Sequence, residues 1–185
     1  MSAPVELLVL GALRVLARRW TFDDLYEATF ISAEIHRKFF HMFVERYAAE
    51  IYPIVCTYPE SAEEIESCME DYSAAGFNGA IGSVDVTHIR WWKCSSNLNQ
   101  LNHGKEGFTT RAFQVTVNNK RKILAATKGF YGSCNDKTIV RFDDFVMKIH
   151  AGTLYSDIEY QLSNTDGSKE SVKGLYLLCD NGYHM

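Results

Sequence analysis

The chain has 185 residues, 46% of them hydrophobic and 13% aromatic, enough to bury one domain core with an accessory segment beside it. Its net charge of −4 argues against a generic basic nucleic-acid binder. The apolar run from Val5 to Leu13 carries Glu6, is too short to span a bilayer, and lacks the flanks of a signal peptide, which predicts an intracellular protein, nuclear or cytoplasmic, with no membrane partner.

Residues 5–52 read as three helices. Leu7, Leu10, Leu13 and Leu16 form one apolar stripe that ends at Arg18-Arg19. Thr21, with Asp24 three residues on, predicts a capping box for a short second helix. Ser32 caps a longer third, on which Ile35, Phe39, Phe43 and Tyr47 recur at helical spacing. Two short helices before a longer one suggest a helix-turn-helix presenting Glu34, His36, Arg37 and Lys38; the alternative is a helical segment that braces the downstream domain. Pro59 and the acids up to Asp71 suit a fourth helix, ended by Gly76.

The pattern then changes to strands, which sets the expected boundary between a helical segment, 1–75, and a second domain, 76–185. Ala80–Val86 is apolar on both faces, as in a covered central strand. Thr110–Val117 alternates, with Phe113, Val115 and Val117 on one face and Ala112, Gln114 and Thr116 on the other. Asn118-Asn119 predicts a turn and Ile123–Phe130 a third strand. Asp136 caps a helix expected to run to Gly152, and Ile158–Leu162 leads through a turn at 164–167 to a last strand, Leu175–Cys179.

A right-handed crossover through the 136–152 helix can lay the last strand parallel to the first. Asp85 and Asp180 would then emerge side by side at the carboxyl edge of the sheet, where α/β proteins bind ligands. A buried carboxylate needs a partner, a proton or a metal, so the pair points to a shared divalent ion. From Val86 to Lys128, eight Lys/Arg stand against Glu106 alone, a local +7; from Glu60 to Asp71 there are six acids and no base. Within the basic stretch Lys105, Arg111, Lys120, Arg121 and Lys122 are expected on the same side as the acids, as a DNA footprint. The five cysteines show no C-x-x-C pair and read as reduced thiols, and His88, Cys94 and His103 match no familiar zinc spacing.

Four segments together resemble Harbinger-type (PIF/Harbinger) DDE transposases. Gly82-Ser83-Val84-Asp85-Val86-Thr87-His88-Ile89 is similar to that family's motif around its first catalytic acid. Lys105-Glu106-Gly107-Phe108 resembles its K-x-G segment, and Gly132-Ser133-Cys134-Asn135-Asp136 its G-S-x-x-D turn. Leu178-Cys179-Asp180-Asn181-Gly182-Tyr183 resembles the strand that carries its second acid. The resemblance implies an RNase H-like, retroviral-integrase-like α/β fold with a mixed sheet, preceded by helices. It implies a nuclease that cleaves and transfers double-stranded DNA with two magnesium or manganese ions, held by Asp85 and Asp180 as first and second acids, and working with a separate DNA-binding partner protein. The family's third acid lies on a helix downstream of Met185, so the implied site is truncated and expected to be inactive as it stands; the alternative is a domesticated DNA- or protein-binding module. Asp136, Asp143, Asp144 and Asp157 read instead as cap, helix face and loop. Val86 replaces the family's small glycine, and His88 is expected either to orient Asp85 or to be a satisfied structural histidine.

Overall fold

The computed structural model describes residues 3–164 and 166–183 and divides into two units, Met1–Val55 and Cys56–Met185. The first unit holds α1 (Val5–Arg18), α2 (Phe22–Thr29) and α3 (Ala33–Val55). The capping box at Thr21 forms as the sequence predicts: its hydroxyl accepts from Asp24 N at 3.1 Å, and the Asp24 carboxylate accepts from Thr21 N at 2.8 Å. Those two bonds hold the Asp24 carboxyl below its ordinary pKa.

The unit's core corrects the helix-turn-helix reading of α3. His36 is not presented outward; it is buried, its Nε2 2.9 Å from the Thr29 hydroxyl, and burial lowers its pKa. It packs where α1 has Gly11, whose missing Cβ leaves room for the imidazole. Arg37 and Lys38 fold back onto Glu34 as i,i+3 and i,i+4 pairs.

In the second unit, α4 (Ala62–Ser73) starts at a capping box between Ser61 and Glu64. It packs against β1 (Ala80–Arg90), so this helix belongs with the sheet although its sequence reads as helical like the segment before it. β1 is followed by α5 (Ser96–Asn102), β2 (Thr110–Val117), β3 (Ile123–Ala126) and β4 (Phe130–Tyr131). After them come α6 (Asp136–Ile139), a 3-10 turn at Val140–Phe142, α7 (Asp144–His150), β5 (Glu159–Ser163), β6 (Lys169–Lys173) and β7 (Tyr176–Leu178).

The sheet order among the described residues is β3-β2-β1-β7, with β4 also on β2. β1 pairs antiparallel to β2, from Ser83 opposite Val117 to Arg90 opposite Thr110, and parallel to β7, with Ser83 beside Leu178. This is the mixed α/β sheet of an RNase H-like fold, with the last strand parallel to the first. Both faces of β1 are covered, as its apolar run requires. On one, the Tyr72 hydroxyl of α4 lies 3.0 Å from the Ser83 hydroxyl. On the other, Val84 and Val86 pack with Ala112, Ile139, Val140 and Val146. A second cluster joins Ile81, Leu124, Phe145, Tyr155 and Leu175. Each fully buried aliphatic side chain in these clusters contributes about 1.5–3 kcal/mol.

Three elements differ from the sequence reading. The third strand breaks at Thr127, whose hydroxyl accepts from Gln114 N at 3.0 Å, leaving β3 and β4 as separate pieces. The 136–152 helix breaks at Asp143, and Asn135, not Asp136, caps its first piece through Thr138 N at 2.8 Å. Residues 169–173 form a strand that periodicity did not reveal, paired with β5 as a hairpin outside the main sheet. Thr165, in the turn expected at 164–167, lies outside the described residues.

The buried face of β2 is the one carrying Ala112, Gln114 and Thr116, against the hydrophobic expectation for Phe113, Val115 and Val117. Asp143 explains it. Its carboxylate caps α7 by accepting from Phe145 N and Val146 N at 3.1 Å each, and accepts from Gln114 Nε2 at 2.7 Å. Asp143 and the Gln114 amide nitrogen thus satisfy each other and a helix end, while Gln114 Oε1 and Thr116 Oγ1 are buried without a partner among the described residues. Asp143→Ala should lower stability by about 2–4 kcal/mol, the sum of a lost cap and an orphaned buried amide. Urea unfolding midpoints of the two chains measure it; a loss under about 0.5 kcal/mol, the level of a neutral surface change, would contradict this role.

Candidate functional site

Asp85 is the sixth residue of β1 and lies opposite Val115 on β2. Asp180 follows the end of β7 by two residues, and the parallel register that sets Ser83 beside Leu178 carries it alongside Asp85. Both side chains are exposed. One Asp85 oxygen, Oδ1, accepts from the neighbouring Val86 N at 2.7 Å.

Tyr183 ties the two acids together. It is 7% exposed, packs in the core cluster of Val84 and Val86, and its hydroxyl meets no hydrogen-bond partner among the described residues. Burial, reinforced by the negative charges of Asp136, Asp85 and Asp180, pushes its phenol well above the ordinary value. Three carboxylates therefore bear on one buried hydroxyl at the carboxyl side of β1 and β7. The sequence offered a signal for this in Asp180-Asn181-Gly182-Tyr183, but only the short 3-10 turn at Asn181–Tyr183 folds the phenol back beneath the acids.

The glycine-containing segments converge beside it. Gly104 and Gly132 meet back to back; a Cβ on Gly132 would clash with the Thr110 hydroxyl and the Asn102 carbonyl, and one on Gly104 with the Gly132 carbonyl. Ser133 Oγ donates to the Leu101 carbonyl at 2.6 Å. These contacts bring Lys105 Nζ to 3.8 Å from Asp136 Oδ2, one of the three carboxylates that bear on Tyr183.

Lys120, Arg121 and Lys122 do not join this site. The turn carrying Lys120, Arg121 and Lys122 follows Val117, which pairs with Ser83, so it sits at the end where β1 begins. Lys120 Nζ lies 3.1 Å from Asp71 Oδ2 and from Ser67 Oγ, and Lys122 Nζ lies 3.4 Å from Thr57 Oγ1, in a cleft that Glu63 and Glu64 also line. Here the acidic run of α4 neutralises the basic turn. The strain of that turn falls on Arg121 (φ 63°). Arg111 is engaged locally, donating to the Gly129 carbonyl and lying 5.2 Å over the Tyr131 ring. The single-footprint expectation is corrected for Lys120, Arg121 and Lys122, which the antiparallel β1–β2 pairing carries to the other end, whereas Arg111, opposite Ile89, stays at the end where Asp85 lies.

His88 is corrected as well. Strand alternation sends it to the face opposite Asp85, where Nδ1 lies 2.9 Å from the Thr110 hydroxyl and Nε2 is buried without a partner. Among the other acids, Asp144 is solvated and pairs with Lys148 at 2.6 Å, and Asp143 is the buried cap. Among the described residues no group of three or more His, Cys, Asp or Glu is placed to hold a metal, which leaves the His88, Cys94 and His103 trio without a zinc geometry. All five cysteines are free thiols.

The profile of plant transposon proteins matches residues 15–183. The chain belongs to the plant transposon protein family. The match covers both units and includes Asp85, Asp180 and Tyr183, so the acids and the phenol lie within the part shared with transposon proteins. No curated protein and no solved structure matches the chain significantly. No helix among the described residues is long and apolar enough to cross a membrane.

The Tyr183 phenol gives this transposon-family site a signature in pH. Its folded pKa stands above the unfolded value of about 10, so the stability it confers is complete below pH ~10 and is lost as pH rises beyond it. Tyr155, also raised by burial, adds to the same loss. Tyr183→Phe should therefore make stability fall less steeply between about pH 9.5 and 11.5. Urea midpoints across that window test it, and an unchanged slope would place the phenol in water.

Proposed function

We propose that this chain is the DNA-processing core of a Harbinger-type DDE transposase, a divalent-metal-dependent nuclease whose catalytic and metal-ligating acids are Asp85 and Asp180. The observation that carries this reading is the parallel pairing of β1 and β7, which sets two exposed carboxylates side by side above a buried phenol. The four motif segments and the transposon family match support it.

The residues present fit magnesium or manganese as a two-carboxylate site. Hard divalent ions of this kind accept one or two protein carboxylates and complete their shell with water and substrate phosphate. The Asp85 oxygen not bonded to Val86 N is available for such a ligand role. When bound, the ions would activate a water or 3′-hydroxyl and stabilise the leaving oxygen of a phosphodiester. The chain's own contribution is orientation. Core packing fixes β1 and β7, and Tyr183, held neutral, adds no charge that would compete with the acids for a cation. Lys105 supplies positive charge to the same end, where it can meet a DNA phosphate. The site of action would be nuclear, on double-stranded DNA, with a separate DNA-binding protein supplying target recognition.

One observation favours a second reading. Among the described residues no third acid is placed to share a metal with the pair, so the clamp on the two reacting oxygens is incomplete, as suits a domesticated module that binds DNA or protein without cutting. The two readings share the metal ligands and differ in turnover.

Manganese binding should be weak in the 185-residue chain and should fall a further tenfold or so, about 1.4 kcal/mol, in Asp85→Asn and again in Asp180→Asn, as read by electron paramagnetic resonance of free manganese. In a nicking assay on supercoiled DNA, the unaltered chain should cut slowly or not at all. Equal manganese affinity in all three proteins would contradict the proposal. Robust nicking abolished by either substitution would instead establish a complete site and remove the non-catalytic reading.

A further inference from the structure

Beyond the acids, β1 ends in an aromatic and cationic cluster that core packing does not explain. Trp92 is 77% exposed, although an indole is among the side chains that gain most from burial. The Arg90 guanidinium lies 3.6 Å from the Trp92 ring centroid and 4.4 Å from that of Phe108, so it is sandwiched between two rings. None of the ion pairs among the described residues involves Arg90, which leaves its charge to the rings and to solvent.

The backbone beneath the cluster is held. Trp91 N donates to the Thr109 carbonyl at 2.9 Å, and the Thr109 hydroxyl donates back to the Trp91 carbonyl at 2.9 Å. Cys94 N closes a turn over Trp92 by donating to the Trp91 carbonyl at 3.3 Å. An indole backed on one face by a guanidinium and exposed to water elsewhere is a preorganised π surface with a cation beneath it. Its neighbours carry the matching charge: Lys93 follows directly, and Lys105 lies three residues before Phe108.

We infer that Trp92, backed by Arg90 and Phe108, is a stacking platform for an unpaired base of the DNA strand bound at Asp85 and Asp180. The inference rests on the proposed DNA-processing role and adds to it which part of the substrate is held, and where. Nucleobases inside a duplex offer only their edges and backbone, so a ring can stack here only on a base at a strand end or out of the helix. Asp85 and Arg90 are five residues apart on one strand, about 17 Å at roughly 3.3 Å per residue, and alternation puts them on opposite faces, so a DNA strand that reaches both passes over the end of β1. The local charge favours nucleic acid over a peptide: Arg90, Lys93 and Lys105 flank the rings in sequence, and Arg111 pairs opposite Ile89, one residue before Arg90.

The test is fluorescence anisotropy at fixed salt with the full chain in EDTA, using a blunt 20-base-pair duplex, the same duplex with a tail of about five thymidines, and a proline-rich peptide as competitor. Trp92→Ala should weaken binding of the tailed duplex about tenfold while leaving the blunt duplex within about twofold. Trp92→Phe should restore most of the lost affinity, since it returns a π face. The Lys120→Ala/Lys122→Ala double change should leave the preference for the tail as it was. Equal loss on both duplexes, no loss on either, or displacement by the peptide alone would overturn the platform while the DNA reading stands. Failure of the unaltered chain to bind any of the duplexes would overturn both together.

Discussion

The pairing of β7 beside β1 is the constraint on which the rest depends. Its parallel direction requires a crossover, which the chain makes through α6, α7 and the β5–β6 hairpin. A short β7 of three residues gains little from its own hydrogen bonds, so its place is fixed by Leu175 and Leu177 packing into the core clusters. Antiparallel pairing would carry Asp180 to the opposite end of the sheet, next to the basic turn. The site, the buried phenol and the convergence of three carboxylates are all consequences of that one direction.

Polar groups inside the unit serve the same geometry. Asp143 ends the irregular stretch after α6, starts α7, and holds Gln114 on the strand adjacent to β1. The Gly104–Gly132 contact draws two distant loops together, where any side chain would force them apart. Neither interaction touches the acids. Both determine how closely Lys105, Asp136 and Tyr183 approach them, which is how packing at a distance sets the electrostatics of a site on the sheet edge.

The sheet was legible where pattern and burial agree. The apolar run at Ala80–Val86, the turn residues at 118–122 and the terminal Leu175–Cys179 run gave the strands and their order, and order gave the parallel pair. The helix start at Thr21 was legible because a capping box is local chemistry. What sequence could not show depends on partners far away in the chain. Gln114 on the polar face of β2 is buried where Asp143 arrives to accept from its amide nitrogen, and His36 is buried because Gly11 makes room. The cations of the 86–128 stretch are neighbours in sequence but are divided by the antiparallel turn of the sheet, so Lys105 pairs with Asp136 while Lys120 meets Asp71 on α4. The 169–173 strand is mostly charged and exposed, with Val172 its single apolar residue, and leaves no periodic trace.

The most direct measurement of the central claim is a set of cross-strand nuclear Overhauser contacts in isotope-labelled protein. The account predicts contacts between Ala80 and Tyr176 and between Ser83 and Leu178, in the order of a parallel pair. Contacts in the reverse order, or none between the two segments, would contradict it and separate Asp180 from Asp85.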